Sequence, residues 1–158
     1  AQVHGIATAA GAQLVASCDL AISSQEARYA TPGVNIGLFC STPMVALSRN
    51  LSNKHAMQML LTGDLIDAQN AYRMGLVNEV VDAEELETKT MELAQKIASK
   101  SPLTVAIGKE AYYRQAELPL SEAYDYTKEV MVRNLEARDA QEGISAFIEK
   151  RHPVWCGK

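Results

Sequence analysis

Apolar residues change their spacing at Asp82, which limits the chain to an α/β portion followed by an all-helical one. Ahead of that point apolar runs are short, β-branched or alternating, and small residues crowd the first third. Gln2–Val3 reads as the end of a buried strand, Ala10–Cys18 as a helix of small residues, and Leu20–Ser23 and Ala27–Tyr29 as a pair of short strands. Thr31-Pro32 breaks the pattern, so Gly33–Gly37 is expected to be a loop. Helices are predicted over Met44–Leu51, over Lys54–Leu61 with Gly63 as its stop, and over Asp67–Met74 between an Asp67 cap and Gly75. Leu76–Val81 is the last expected strand.

Beyond Asp82, Leu86, Leu93 and Ile97 share one helical face, with Ala94 and Ala98 beside them. Ser101-Pro102 opens a further helix with proline at its first position, and Ser121-Glu122 opens another after Pro119. The final helix is predicted over Asp139–Lys150, with Ile144, Phe147 and Ile148 along one side. No repeat, low-complexity tract or linker interrupts the chain, so 1–81 and 82–158 read as two regions of one folded unit.

A chain of 158 residues, 47% hydrophobic, can bury a sizeable core. Its net charge of -4, with no clustered basic face, argues against general nucleic-acid binding. Cys18, Cys40 and Cys156 are widely spaced and lack a nearby histidine, which favours a reduced compartment and gives no metal-ligand set. No apolar run is long enough to span a membrane.

The stretch Ala7-Thr8-Ala9-Ala10-Gly11 places minimal side chains between a strand and a helix. Small residues let a ligand approach the backbone, and the free N–H groups of a helix N-terminus carry the positive end of its dipole. Such a turn can bind an oxyanion or phosphate. The same residues also let a helix pack closely on a sheet, and spacing alone favours that second reading.

The order of motifs carries more. VHGIATAAGAQLVASCDLAI is followed by ARYATPGVNIGL, then MLLTGDLIDAQNAYRMGLVNEVV, and finally EGISAFIEKRHP. Across almost its whole length the chain resembles the enoyl-CoA hydratase/isomerase (crotonase) superfamily, in particular its mitochondrial members. The resemblance implies an α/β, crotonase-like ββα spiral, of which only the second half is present, followed by a helical C-terminal trimerisation segment. It further implies an acyl-CoA partner, a homo-trimer or hexamer, a mitochondrial location, and no cofactor other than the coenzyme A carried by the substrate.

By motif position the resemblance puts one oxyanion-hole N–H on Ala10, with Gly11 next to it; the other donor would lie in the preceding half. The two family glutamates that position and deprotonate water fall on Gln13 and Gly33. An amide has no acid or base form useful near neutral pH, and glycine offers only backbone. Conventional hydration is therefore expected to be weak or absent, and no acidic residue between Gly33 and Thr42 replaces the pair. A lysine matching Lys150 approaches the phosphate end of CoA in the family. The alternative is a non-catalytic acyl-CoA binding, regulatory or trimer-assembly protein.

Other polar residues are read as structural. Asp19 is expected to tie a helix end to a neighbouring loop, Cys40 to be inert without an adjacent base, and Asn35 to satisfy its own backbone. His4, His55 and His152 are scattered singly, and at least one of Tyr112 and Tyr113 is expected in the core or at a subunit interface.

Overall fold

In the computed structural model, which describes residues 1–158, strands of two or three residues build two three-stranded sheets. The first sheet is parallel and joins β1 (Gln2–Val3), β3 (Ile22–Ser24) and β6 (Glu79–Val81) in the order β1-β3-β6. The second joins β2 (Ile6–Thr8) in parallel to β4 (Arg28–Ala30), which pairs antiparallel with β5 (Ile66–Asp67). The chain thus gives one strand to each sheet in turn, first β1 and β2, then β3 and β4. The two strands expected as a pair are not partners; each pairs in a different sheet. Their link is a side-chain bond, from the Tyr29 hydroxyl to Ser23 Oγ at 2.7 Å.

Two compact units are present, Ala1–Leu93 and Ala94–Lys158. The last strand ends at Val81, where the change of pattern was expected, but the unit boundary falls further on, inside α5 (Leu86–Ala98). In the first unit the sheets are accompanied by α1 (Ala10–Ser17), α2 (Ser41–Asn50), α3 (Asn53–Thr62) and α4 (Ala68–Met74). Val15, Ala16, Tyr29, Leu47, Met59, Leu60 and Leu76 form one buried cluster. A fully buried leucine such as Leu47 contributes about 1.5–3 kcal/mol through the area it removes from water. Asn50 Nδ2 adds a polar tie, donating to Ala16 O of α1 at 2.8 Å and to Ala46 O at 2.9 Å.

The second unit consists of the end of α5 and of α6 (Pro102–Gln115), α7 (Leu120–Leu135) and α8 (Arg138–Glu149). Its organiser is Asp139, a carboxylate in the first turn of α8. Asp139 accepts from the Ser101 hydroxyl at 2.5 Å and from the N–H groups of Cys156 at 2.7 Å and Gly157 at 3.1 Å. Its own N–H donates to Lys158 O at 3.0 Å. These donors, the Ser101 hydroxyl first, hold its carboxyl at about 2. Trp155 completes the attachment of the tail by donating Nε1–H to Ser99 O at 2.9 Å. Its ring lies over Gly143, where a Cβ would come within 3.2 Å of it.

Several boundaries differ from expectation for local reasons. Ile6–Thr8 is a strand, so the small-residue loop shrinks to Ala9, while Gly11 lies inside α1. Gly33–Gly37 is mostly a 3-10 helix, Pro32–Ile36, because proline supplies its first φ and Gly37 ends it at φ 77°. α2 starts at Ser41, ahead of Met44, since Pro43 is tolerated in a first turn. α8 stops at Glu149, with Lys150 left-handed beyond it. Tyr112 and Tyr113 meet edge to face at 5.3 Å on α6 and both are exposed, so neither is a core residue of this chain.

Candidate functional site

β2 and β4 run parallel in the register Ile6↔Arg28, Ala7↔Tyr29 and Thr8↔Ala30, so the chain leaves both at the same end of the sheet. Ligands of α/β sheets gather beyond such carboxyl ends. After β2 the whole turn into α1 is made by Ala9, whose N–H donates to Ala30 O at 3.0 Å and whose φ and ψ are 47° and -111°. This conformation belongs to glycine, and an alanine held in it stores on the order of 1–3 kcal/mol. Residue type gives no hint of it, because nothing distinguishes Ala9 from its neighbours in the small-residue run.

The strained turn aims the first turn of α1 out of the sheet end. Gln13 is the first residue to donate back along the helix, to Ala9 O at 3.0 Å. The N–H groups of Ala10, Gly11 and Ala12 therefore have no partner within the helix, and no side chain caps it. Ala10 is exposed, Gly11 half-buried and Ala12 fully buried. The expected oxyanion position thus combines an accessible backbone with the positive end of a helix. Gln13 is half-buried one turn further on.

After β4 the chain passes through Thr31, fully buried with a hydroxyl that has no partner, into the 3-10 helix. Gly33 is not an open vacancy. A Cβ at this position would lie 2.9 Å from Cys40 Sγ and 2.9 Å from Leu38 O, and Leu38 N–H donates to Gly33 O at 2.9 Å. Residues 38–40 thus fold over position 33 and fill the space a side chain would need. Cys40 is half-buried and Asn35 exposed. Gly63, left-handed at the end of α3, admits Val34, Asn35 and Pro32 close to its Cα.

Gln13 and Gly33 belong to segments that leave the same sheet end. A groove of about 390 Å³ runs along β1, β2 and α1, and of the expected site residues only Gly11 lines it.

Lys150 lies in the second unit as the exposed, left-handed residue that ends α8, with φ 55° and ψ 39°. Next to it, Arg151 Nη1 and Nη2 donate to the two carboxylate oxygens of Glu142 at 2.6 and 2.9 Å, and Nε donates to Glu149 at 2.5 Å. Glu142 also accepts from Val154 N–H at 2.8 Å. The Arg151 guanidinium, followed by that N–H, holds the Glu142 carboxyl at about 2, and the same bonds push Arg151 further up. This pairing was not legible in the sequence, where Lys150-Arg151 looks like two equivalent cations at a helix end.

Known proteins share this fold. The enoyl-CoA hydratase domain-containing protein 3, mitochondrial, of Mus musculus is 54% identical over 155 residues, 98% of this chain and 52% of its own length. A crystal structure of human enoyl coenzyme A hydratase domain-containing protein 3 matches with a TM-score of 0.92 at 54% identity, covering 96% of this chain and 60% of that one. An enoyl-CoA hydratase structure from Mycobacterium smegmatis matches with a TM-score of 0.94 at 49% identity, over 96% of this chain and 59% of that one. The chain spans about half the length of the curated relatives it matches. The sequence pattern of the family described as enoyl-CoA hydratase/isomerase covers residues 1–158. With an α/β fold of two sheets, a helix pointed out of the carboxyl ends of β2 and β4, and a family match along its whole length, this chain belongs to the enoyl-CoA hydratase/isomerase family.

Proposed function

We propose that this chain is part of an acyl-CoA-thioester-binding mitochondrial protein of fatty-acid metabolism in which conventional hydration is weak or absent. The observation that carries the reading is the turn at Ala9, which spends backbone strain to present Ala10 N–H at a sheet end that has no acid or base at positions 13 and 33. Ala10, with Gly11 beside it, supplies one oxyanion donor; the second comes from a segment outside these residues. The relatives named as mitochondrial support the location. Coenzyme A enters with the substrate and no other cofactor is required. Lys150 meets the phosphate end of CoA.

Calorimetry with an acyl-CoA tests binding. Assays of crotonyl-CoA hydration, 3-enoyl-CoA isomerisation and thioester cleavage test turnover on the same intact protein. Binding is expected, with hydration roughly 10²–10⁴-fold below that of an enzyme holding a positioned acid and base. Absence of acyl-CoA binding would overturn the reading, and hydration at the rate of a two-carboxylate enzyme would overturn the loss of acid/base chemistry. Gln13→Glu is the informative single restoration. Gly33→Glu is not, because Leu38 O and Cys40 Sγ occupy the approach.

A second reading is a non-catalytic assembly module that joins a homo-trimer or hexamer. It draws on α8, where Ile144, Phe147 and Ile148 are exposed by 52%, 85% and 72%. Light scattering that finds only monomer would sink it.

A further inference from the structure

We propose that Glu142 and Arg151 are positioning residues, a clamp that holds Lys150 in a left-handed conformation and leaves its ammonium as the one unneutralised cation at the end of α8, ready for a phosphate. The inference rests on the reading that Lys150 meets the phosphate end of CoA.

Three observations carry it. The left-handed residues ending α3, α4 and the 3-10 helix are all glycine, Gly63, Gly75 and Gly37, whereas α8 ends on a lysine. Together with Ala9 it is one of two non-glycine residues with positive φ in the chain, so one strained position is a candidate site residue and the other directly precedes one, Ala10. The turn itself is closed by Arg151 N–H on Ala146 O at 3.0 Å and Lys150 N–H on Phe147 O at 3.3 Å, the pattern a glycine would ordinarily permit.

Arg151 then locks that turn from outside. Three of its donors are engaged by Glu142 and Glu149, and Glu142 reaches on to Val154 N–H, so the chain on both sides of Lys150 is fixed. A guanidinium between two carboxylates has no charge left to offer a ligand. Lys150 forms no ion pair, and as a compact point charge it suits a phosphate. Of two adjacent cations one therefore builds the site and the other serves it.

The test uses the intact protein and compares affinity for an acyl-CoA with affinity for the matching acyl-pantetheine, which lacks the phosphoadenosine end. Arg151→Gln and Glu142→Gln are expected to weaken acyl-CoA binding roughly five- to ten-fold, about the net worth of one ordinary hydrogen bond, and to leave acyl-pantetheine binding unchanged. The double exchange Glu142→Arg with Arg151→Glu is expected to recover part of the loss. Lys150→Ala should produce the same selective loss. If Lys150→Ala weakens acyl-CoA binding while the clamp variants do not, or if they weaken both ligands equally, the positioning role is overturned and the Lys150 reading survives. If Lys150→Ala changes nothing, both are overturned. Circular dichroism of each variant separates these outcomes from a failure to fold, and Lys150→Gly, which relieves the left-handed strain, keeps the contact testable if the alanine variant is unstable.

Discussion

The unit Ala1–Leu93 buries Tyr29, Leu47, Met59 and Leu60 almost completely, whereas the hydrophobic residues that Ala94–Lys158 buries are only Ala111, Ala123 and Ala146. Many large apolar side chains of the second unit are at its surface, among them Phe147, Ile148 and Met131, and others such as Ile107 and Trp155 are only half-buried. What orders that unit is a carboxylate, Asp139, which gathers donors from Ser101 and from the tail. One region is stabilised by removing area from water, the other by ionised hydrogen-bond acceptors, so each should respond to a different perturbation.

The largest contrast is expected from side-chain truncation. Leu47→Ala should lower the stability of the first unit by about 2–5 kcal/mol, while Ile148→Ala on the exposed face of α8 should stay within about 0.5 kcal/mol. Urea titrations followed by circular dichroism measure both, and equal losses would break the comparison. Next in size is Gly33→Ala, which forces a methyl against Leu38 O and should cost about 1–3 kcal/mol although it adds apolar area. Ala9→Gly acts in the opposite sense. By releasing the positive φ it should stabilise the first unit by about 1 kcal/mol, read as a higher denaturation midpoint.

The most local effect is confined to the second unit. Asp139 and Glu142 are held at about 2, against ordinary values of 3.8 and 4.5, so the unfolded chain binds their protons more readily than the folded one. Their stabilisation is complete above about pH 5 and drains as pH falls toward 2. Trp155 is the chain's single tryptophan and lies in the tail that Asp139 holds. Its emission should shift across that acid range before far-ultraviolet helicity falls. A shift that coincides with global unfolding would show that the tail is not separately held.

Helix ends were the most legible part of the sequence, because capping is local chemistry. Asp67 accepts from Asn70 N–H at 2.7 Å, Ser101 accepts from Thr104 N–H at 3.2 Å, and Gly63 and Gly75 are left-handed stops as expected. Strands were uneven: Gln2–Val3 was expected and is β1, whereas β5 was missed because its two residues carry no period. β2 was hidden by its composition, as Ala7 and Thr8 read as part of a small-residue loop. At the candidate site the family resemblance pointed to Ala10, Gln13 and Gly33, but not to what surrounds them. Positive φ at alanine and lysine leaves no trace in residue type, and the closure of 38–40 over Gly33 is a tertiary contact.

That closure makes a side chain at position 33 hard to introduce. A single codon change there would place a methylene where a sulfur and a carbonyl oxygen already are. A variant carrying a carboxylate at this position would first have to move residues 38–40. The packing behind Gly33 thus makes a side chain at 33 conditional on what residues 38–40 do, so the two places must change together.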